Sequence, residues 1–257
     1  MAVEIRVVPC LNDNYAVLLH DPVAQATAVV DVPEVAPVLA AIEREGWTLT
    51  HILVTHHHAD HIDGVPALKA RFGATVVGPK AEAATIPGID VEVVDGDPVA
   101  VGGLVGRVME TPGHTAGHVV YLFEDEHLLF AGDTLFVMGC GRPIECDAPV
   151  LWKSLQRLRT LPDDLAVYCG HEYTVSNARF AASVDPDNGA LQARLGEVQA
   201  ARSADRPTIP TMLGDEKLTN PFLRADDPGM AERLGLGESD AAAVFTELRA
   251  RKNVFKG

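Results

Sequence analysis

Thr55-His56-His57-His58-Ala59-Asp60-His61 packs five metal-binding side chains into seven residues. Four of the chain's ten histidines fall here, with an aspartate among them. Imidazole and carboxylate together suit zinc, iron or manganese. The run follows the apolar stretch His51-Ile52-Leu53-Val54-Thr55, so it begins where a strand leaves a sheet. On a tight turn, His56 and His58 can face one way while Asp60 and His61 face an adjacent position, which supplies two ions rather than one. His57 lies between ligand positions and is expected to turn away. A solvated histidine-rich loop is the alternative, but the interleaved aspartate and the flanking strand argue against it.

Three distant segments offer further donors. His114 sits in the Pro-Gly turn of Glu110-Thr111-Pro112-Gly113-His114-Thr115-Ala116-Gly117-His118, where its ring is free of any ladder. Asp133 follows the apolar run Leu129-Phe130-Ala131 and Gly132; His171 follows Tyr168-Cys169-Gly170. Each is weak alone, since a turn histidine is commonly just solvated and a strand-end aspartate is commonly a cap. Their shared placement at strand ends is where open α/β sheets put their sites.

The elements that must carry these groups read as an α/β domain. Ala26–Asp31 is a strand ending in an acid, Glu34–Glu45 a helix closed by Gly46, and Val65–Phe72 a second helix ended by Gly73. Short β-branched or apolar runs at 75–77, 91–94, 99–101, 106–110, 119–123, 128–130 and 165–168 read as strands. Leu151, Leu155 and Leu158 mark a helix between them. After about residue 172 the character changes to helical periodicity, strongest in 188–204 and 239–252, broken by Pro207, Pro210, Pro221 and Pro228. The expected organisation is an α/β domain over 1–172 and a mainly helical domain over 173–257 packed against it.

A formal charge of −15 excludes general nucleic-acid binding, which needs a basic footprint. Against that background the tail Arg249–Gly257 holds four cations and no acid. Its two readings are a helix end whose cations complement the dipole and a patch for a small anion. No run of about 18 apolar residues is present, so no membrane span is expected. The N-terminus lacks the pattern of a secretory signal, and four scattered cysteines form no Cys-x-x-Cys pair. Reduced thiols and a cytoplasmic location are the expectation.

Taken in order, Thr55–His61, His114, Asp133 and His171 resemble the metallo-β-lactamase superfamily and its dinuclear hydrolases. The resemblance implies an αββα four-layer sandwich. It also implies a first metal site of His56, His58 and His114, a second of Asp60, His61 and His171, and Asp133 bridging both. Asp31 matches a position that orients a ligand. Two divalent ions per chain, zinc foremost and iron or manganese admissible, would activate water as the nucleophile, with Asp60 and Asp133 as the catalytic carboxylates. Two cations about 3.5–4 Å apart can share one water and lower its pKa sharply.

Leu11-Asn12-Asp13-Asn14-Tyr15, Gly139-Cys140-Gly141-Arg142, Cys169-Gly170-His171-Glu172-Tyr173-Thr174, Asn220-Pro221-Phe222 and the cationic tail are similar to the hydroxyacylglutathione hydrolase (glyoxalase II) family nearly end to end. That similarity implies hydrolysis of S-D-lactoylglutathione, with Arg142, Tyr173, Arg249 and Lys252 meeting the glutathione moiety. The partner is then a small glutathione thioester, with no nucleic acid or membrane, on a monomer or weak homo-oligomer. Two departures bear on the thiol carrier: Ile144 stands at a position that is aromatic in the family, and Asn253 where an aspartate is common. The alternatives are a persulfide dioxygenase, a single-iron oxidoreductase of the same superfamily, and another hydrolase such as a lactonase. The full second donor set and the residues after 172 favour the thioesterase.

Overall fold

A computed structural model describes residues 2–256. Two six-stranded sheets form its centre. The first has the order β1 (Glu4–Cys10), β2 (Asn14–Asp21), β3 (Ala26–Val30), β4 (Leu49–Leu53), β5 (Thr75–Pro79) and β6 (Val91–Val93), antiparallel up to β3 and parallel beyond it. The second contains β7 (Pro98–Val101), β8 (Leu104–Glu110), β9 (Val119–Phe123) and β10 (Leu128–Gly132). A small hairpin of β11 (Leu135–Phe136) and β12 (Gly139–Cys140) leaves β10. Then β13 (Ala166–Cys169) pairs parallel with β10, and β14 (Thr211–Met212) pairs antiparallel with β13.

Successive strand residues point to opposite faces, and here both faces are covered, so the inner strands read as unbroken apolar runs. Val17, Leu19, Ala28, Val30 and Leu53 of the first sheet meet Val99, Val108, Tyr121, Phe123 and Phe130 of the second in one core. On the outer side, Leu18, Val29, Ile52 and Val76 pack under α1 (Val35–Glu45) and α3 (Val65–Phe72), which α2 (Ala59–Ile62) precedes. Gly46 takes the left-handed conformation (φ 70) that closes α1, and its N–H donates to the Glu43 carbonyl at 3.2 Å.

The outer face of the second sheet (Val120, Leu122, Leu129, Val167) packs under α4 (Ala148–Arg159). The same core takes in Phe180 of α5 (Thr174–Val184), Leu213 of α7 (Leu213–Thr219), Met230 of α8 (Pro228–Leu234) and Phe245 of α9 (Ala241–Val254). The helix α6 (Gly189–Ser203) packs on α5 and α7. The layers are therefore α, β, β and α, with the helices after residue 172 sharing the outer core of α4. Among the described residues no helix is long and apolar enough to cross a membrane, and all four cysteines are free.

Where the periodicity placed strands and helices, elements stand. It marked 165–168 as the last strand, however, and β14 follows it. Two residues between Pro210 and α7 leave no alternation to read; β14 is fixed by pairing with β13 instead.

Candidate metal centre

Every donor picked from the sequence lies past a strand end on one edge of the two sheets, Asp60 and His61 in the short α2 that follows β4. Asp31 follows β3, the histidine run follows β4, His114 lies in the turn after β8, Asp133 follows β10, and His171 follows β13. The two sheets are joined at that edge by the Val119 N–H donating to the Thr55 carbonyl at 2.9 Å.

Two donor sets result. His56, His58 and His114 turn one ring nitrogen each into a common space, as do Asp60, His61 and His171 with a carboxylate oxygen and two ring nitrogens; within each set the donors lie within 4.8 Å of one another. His58 Nδ1 is 3.1 Å from His56 Nε2 and 2.9 Å from His114 Nε2. His61 Nε2 and His171 Nε2 are 3.2 Å apart. Asp133 lies between the sets: Oδ2 is 3.4 Å from both His114 Nε2 and His171 Nε2, and Oδ1 is 3.5 Å from His61 Nε2.

The outer nitrogens of the rings are tied down, which fixes which nitrogen faces inward. His114 Nδ1 meets the Arg142 carbonyl at 2.8 Å, His171 Nδ1 meets Asp13 Oδ1 at 2.8 Å, and His61 Nδ1 meets Asp31 Oδ2 at 2.9 Å. Asp31 also accepts the Thr55 N–H and hydroxyl, each at 2.8 Å. Asn14 Nδ2 donates to Asp60 Oδ2 at 3.0 Å. The Asp133 N–H donates to His118 Nε2 at 3.0 Å, while the Thr111 and Thr134 hydroxyls meet His118 Nδ1.

These residues fit divalent ions. Asp133 is buried, yet its Oδ1 has no hydrogen-bond partner among the described residues, a costly state for a carboxylate oxygen without a cation. A Cβ on Gly170 would lie 2.5 Å from that same Oδ1 and 2.8 Å from the His61 ring, so only glycine admits the carboxylate there. Lone pairs of three imidazoles converging at about 3 Å are what an N/O cation site requires.

The electrostatics follow from burial and neighbours. Burial pushes the imidazoles of His56 and His118 well below the ordinary value, so both are neutral. Burial and His114 lower His58. Burial opposes charge on His61, but the carboxylates of Asp133, Asp31 and Asp60 outweigh it and hold its pKa up at about 9. Burial likewise opposes the Asp133 anion, yet His61, His171 and His114 keep its carboxyl well below the usual range. An entering ion would have to displace the His61 proton.

His57 turns away, as expected, with Nδ1 2.9 Å from Glu82 Oε2 and Nε2 3.1 Å from Glu145 Oε1. Arg142, Tyr173, Arg249 and Lys252 line one cavity of about 180 Å³ with Phe136, Cys140, Ser176 and Asn177. It adjoins the donors, because the Tyr173 ring stacks on His171 at 4.7 Å between centroids. Arg249 is only 7% exposed. Its Nη1 donates to the Cys140 carbonyl at 2.9 Å and its Nε to Asn253 Oδ1 at 3.2 Å, over the face of Phe222. Lys252 Nζ donates to Ser176 Oγ at 2.7 Å, and burial next to Arg249 pushes its pKa down to about 8. Asn253 thus accepts from Arg249 through its amide oxygen, and Ile144 is exposed. Sequence reasoning gave no role to Asp13, Asn14, His118, Glu82 or Glu145. Of these, only Asp13 and Asn14, in a polar run between β1 and β2, carry a local signal.

A two-sheet sandwich carrying two His/Asp donor sets on one edge defines a protein of the metallo-β-lactamase superfamily, whose family model matches residues 14–171. A model for the hydroxyacylglutathione hydrolase C-terminus matches residues 172–255. The chain is 57% identical over 253 residues to a hydroxyacylglutathione hydrolase of Rhodopseudomonas palustris, covering 98% of this chain and 99% of the relative. A hydroxyacylglutathione hydrolase of a Bradyrhizobium species is 55% identical with the same coverage. The crystal structure of ETHE1 from Myxococcus xanthus is 30% identical at a TM-score of 0.70, covering 100% of this chain and 93% of that one. This chain belongs to the hydroxyacylglutathione hydrolase family.

Proposed function

We propose that the chain is a thioester hydrolase that cleaves S-D-lactoylglutathione to glutathione and D-lactate, the hydrolytic step of methylglyoxal detoxification, in the cytoplasm. The observation that carries this reading is near full-length identity to hydroxyacylglutathione hydrolases on a chain whose cationic cavity adjoins the second donor set through Tyr173 on His171. His56, His58 and His114 would hold one divalent ion, Asp60, His61 and His171 a second, and Asp133 both. Zinc is the leading candidate, with iron and manganese admitted by the same donors. Ions bound there would supply a nucleophile from water at neutral pH and polarise the acyl carbonyl.

The protein's own groups do the rest. Asp31, Asp13 and the Arg142 carbonyl hold three imidazoles in the inward-facing orientation. Arg142 and Lys252 offer cations to the carboxylates of a peptide thiol, and Arg249 shapes the cavity wall by holding the Cys140 carbonyl. The Tyr173 ring, stacked on His171, aligns the thioester beside the donors. A departing thiolate needs no acid from the protein. In this reading residues 1–172 form the catalytic domain and 173–257 the substrate-binding domain, working as a monomer or weak homo-oligomer. Two complete donor sets favour hydrolysis over a single-iron oxidation.

The test is loss of thioester absorbance on adding S-D-lactoylglutathione to purified protein, with metals counted on the same sample. Turnover with close to two ions per chain is expected. Two ions without turnover would move the substrate to another thioester or ester.

A further inference from the structure

The first donor set is built from two pieces of chain: the run after β4, carrying His56 and His58, and the turn after β8, carrying His114. Between the pieces stands His57, and on either side of His57 stands a carboxylate. Glu82, in the 3₁₀ turn Lys80–Glu82 after β5, is 6% exposed. Its Oε1 accepts the Gly117 N–H at 3.0 Å and the Thr115 hydroxyl. Its Oε2 lies 2.9 Å from His57 Nδ1, off the line of a hydrogen bond. Glu145 repeats the arrangement from the loop after Arg142. Its Oε2 accepts the Ala116 N–H at 2.8 Å, its Oε1 lies 3.1 Å from His57 Nε2, and its own N–H donates to the His114 carbonyl at 3.3 Å. Each carboxylate therefore holds the His114 turn with one oxygen and lies beside a ring nitrogen of His57 with the other.

A buried carboxylate such as Glu82 is costly unless its neighbours compensate it, and the chain makes room for it. A Cβ on Gly117 would lie 2.6 Å from Glu82 Cγ and 3.1 Å from Glu82 Oε1. The second donor set has other supports: Asp13 on His171, Asp31 on His61 and Asn14 on Asp60. Asp31 also reaches the first set through Thr55, whose hydroxyl lies 3.0 Å from His56 Nδ1, but His57, Glu82 and Glu145 support the first set alone.

From this geometry we propose that His57, Glu82 and Glu145 are a positioning unit for the first donor set, so that loosening them weakens the first site far more than the second. The proposal rests on the two-ion reading above. Groups that orient metal ligands commonly contribute about 10- to 100-fold in metal affinity, and that is the expected size of the effect.

The experiment titrates metal-free protein with zinc against a chromophoric chelator and follows the histidine ring ¹⁵N signals by NMR. Glu82→Gln and Glu145→Gln keep the shape of the side chain and remove its charge. In both, one of the two binding steps should weaken about 10- to 100-fold and the other should weaken far less. Zinc below one equivalent should then move the His61 and His171 signals and leave His56, His58 and His114 in place. Asp13→Asn should give the opposite pattern. Glu145 is on a part-exposed loop, so its variant decides the matter if Glu82→Gln does not fold. Equal weakening of both steps, or of neither, would overturn the proposal while leaving two ions per chain. A wild-type chain that takes up one ion would remove the two-ion reading and the proposal with it.

Discussion

Asp133 sits 3.4–3.5 Å from one or more imidazoles of each donor set, and among the described residues no other carboxylate is so placed. Asp133→Ala should lower kcat by at least about 10²-fold, the usual cost of losing one strong electrostatic group at a reacting centre. Full activity with two ions bound would sink the bridging role. Lys252 and Arg249 are both cationic but differently engaged. Lys252→Ala should raise KM about tenfold with kcat nearly kept, in line with one charge-assisted hydrogen bond. Arg249→Ala should lower kcat as well, since it frees the Cys140 carbonyl and the hairpin behind it; identical kinetic signatures for the two variants would refute the distinction. Lys252 also titrates near neutrality, because its pKa is pushed down to about 8. It binds an anion only when protonated, so KM should rise as pH passes through about 8, and Lys252→Arg should abolish that rise. The stability sign is opposite: the buried charge costs the fold below about pH 8, and the cost is relieved between there and the unfolded value of 10.5.

At the scale of elements, the strand ends are what bring the donors together. Gly170 shows how tightly: Gly170→Ala would drive a methyl against Asp133 Oδ1 and the His61 ring. It should lower metal content and activity more than tenfold while far-ultraviolet circular dichroism stays native; an active variant with two ions would show that the edge yields. Much of this was legible beforehand. The alternation and β-branched runs after residue 25 mark strands that exist, the helical spacing of Val35, Val38 and Ile42 marks α1, and His57 was expected to face away. The hairpin of β1 and β2 escaped, because β2 is buried along its whole length and so shows no alternation. The short β11 and β12 escaped for another reason. Their hairpin is held by side chains from far along the chain: Asn177 and Asn220 donate to its carbonyls, and Glu216 accepts the Met138 N–H at 2.7 Å. Contacts set by tertiary placement leave no periodic trace. For the same reason nothing local in the sequence singles out Glu82 or Glu145.

At the scale of the molecule, the segment after residue 172 completes the outer core of the second sheet and, through β14, covers the edge of β13. A chain ended at residue 172 would expose Leu151, Trp152 and Leu155 of α4 to water. Such a truncation should be insoluble or molten rather than a catalytically active half. A soluble product with a cooperative thermal transition would show that the α/β part folds alone.

Each donor set draws on both sheets: His56 and His58 stand on the first and His114 on the second, as Asp60 and His61 stand opposite His171. A bound ion is therefore a rivet through the sandwich as well as a reagent. Free metal at a hundred times its dissociation constant would stabilise the fold by about 2.7 kcal/mol per site, or about 5–10 °C in Tm for a chain of this size. Stripping both sites with a chelator should lower Tm by about 10–20 °C and speed hydrogen exchange at the ends of β4 and β10. The enzyme's lifetime in a cell then follows metal supply, and scarcity would deplete the protein by degradation as well as silence it.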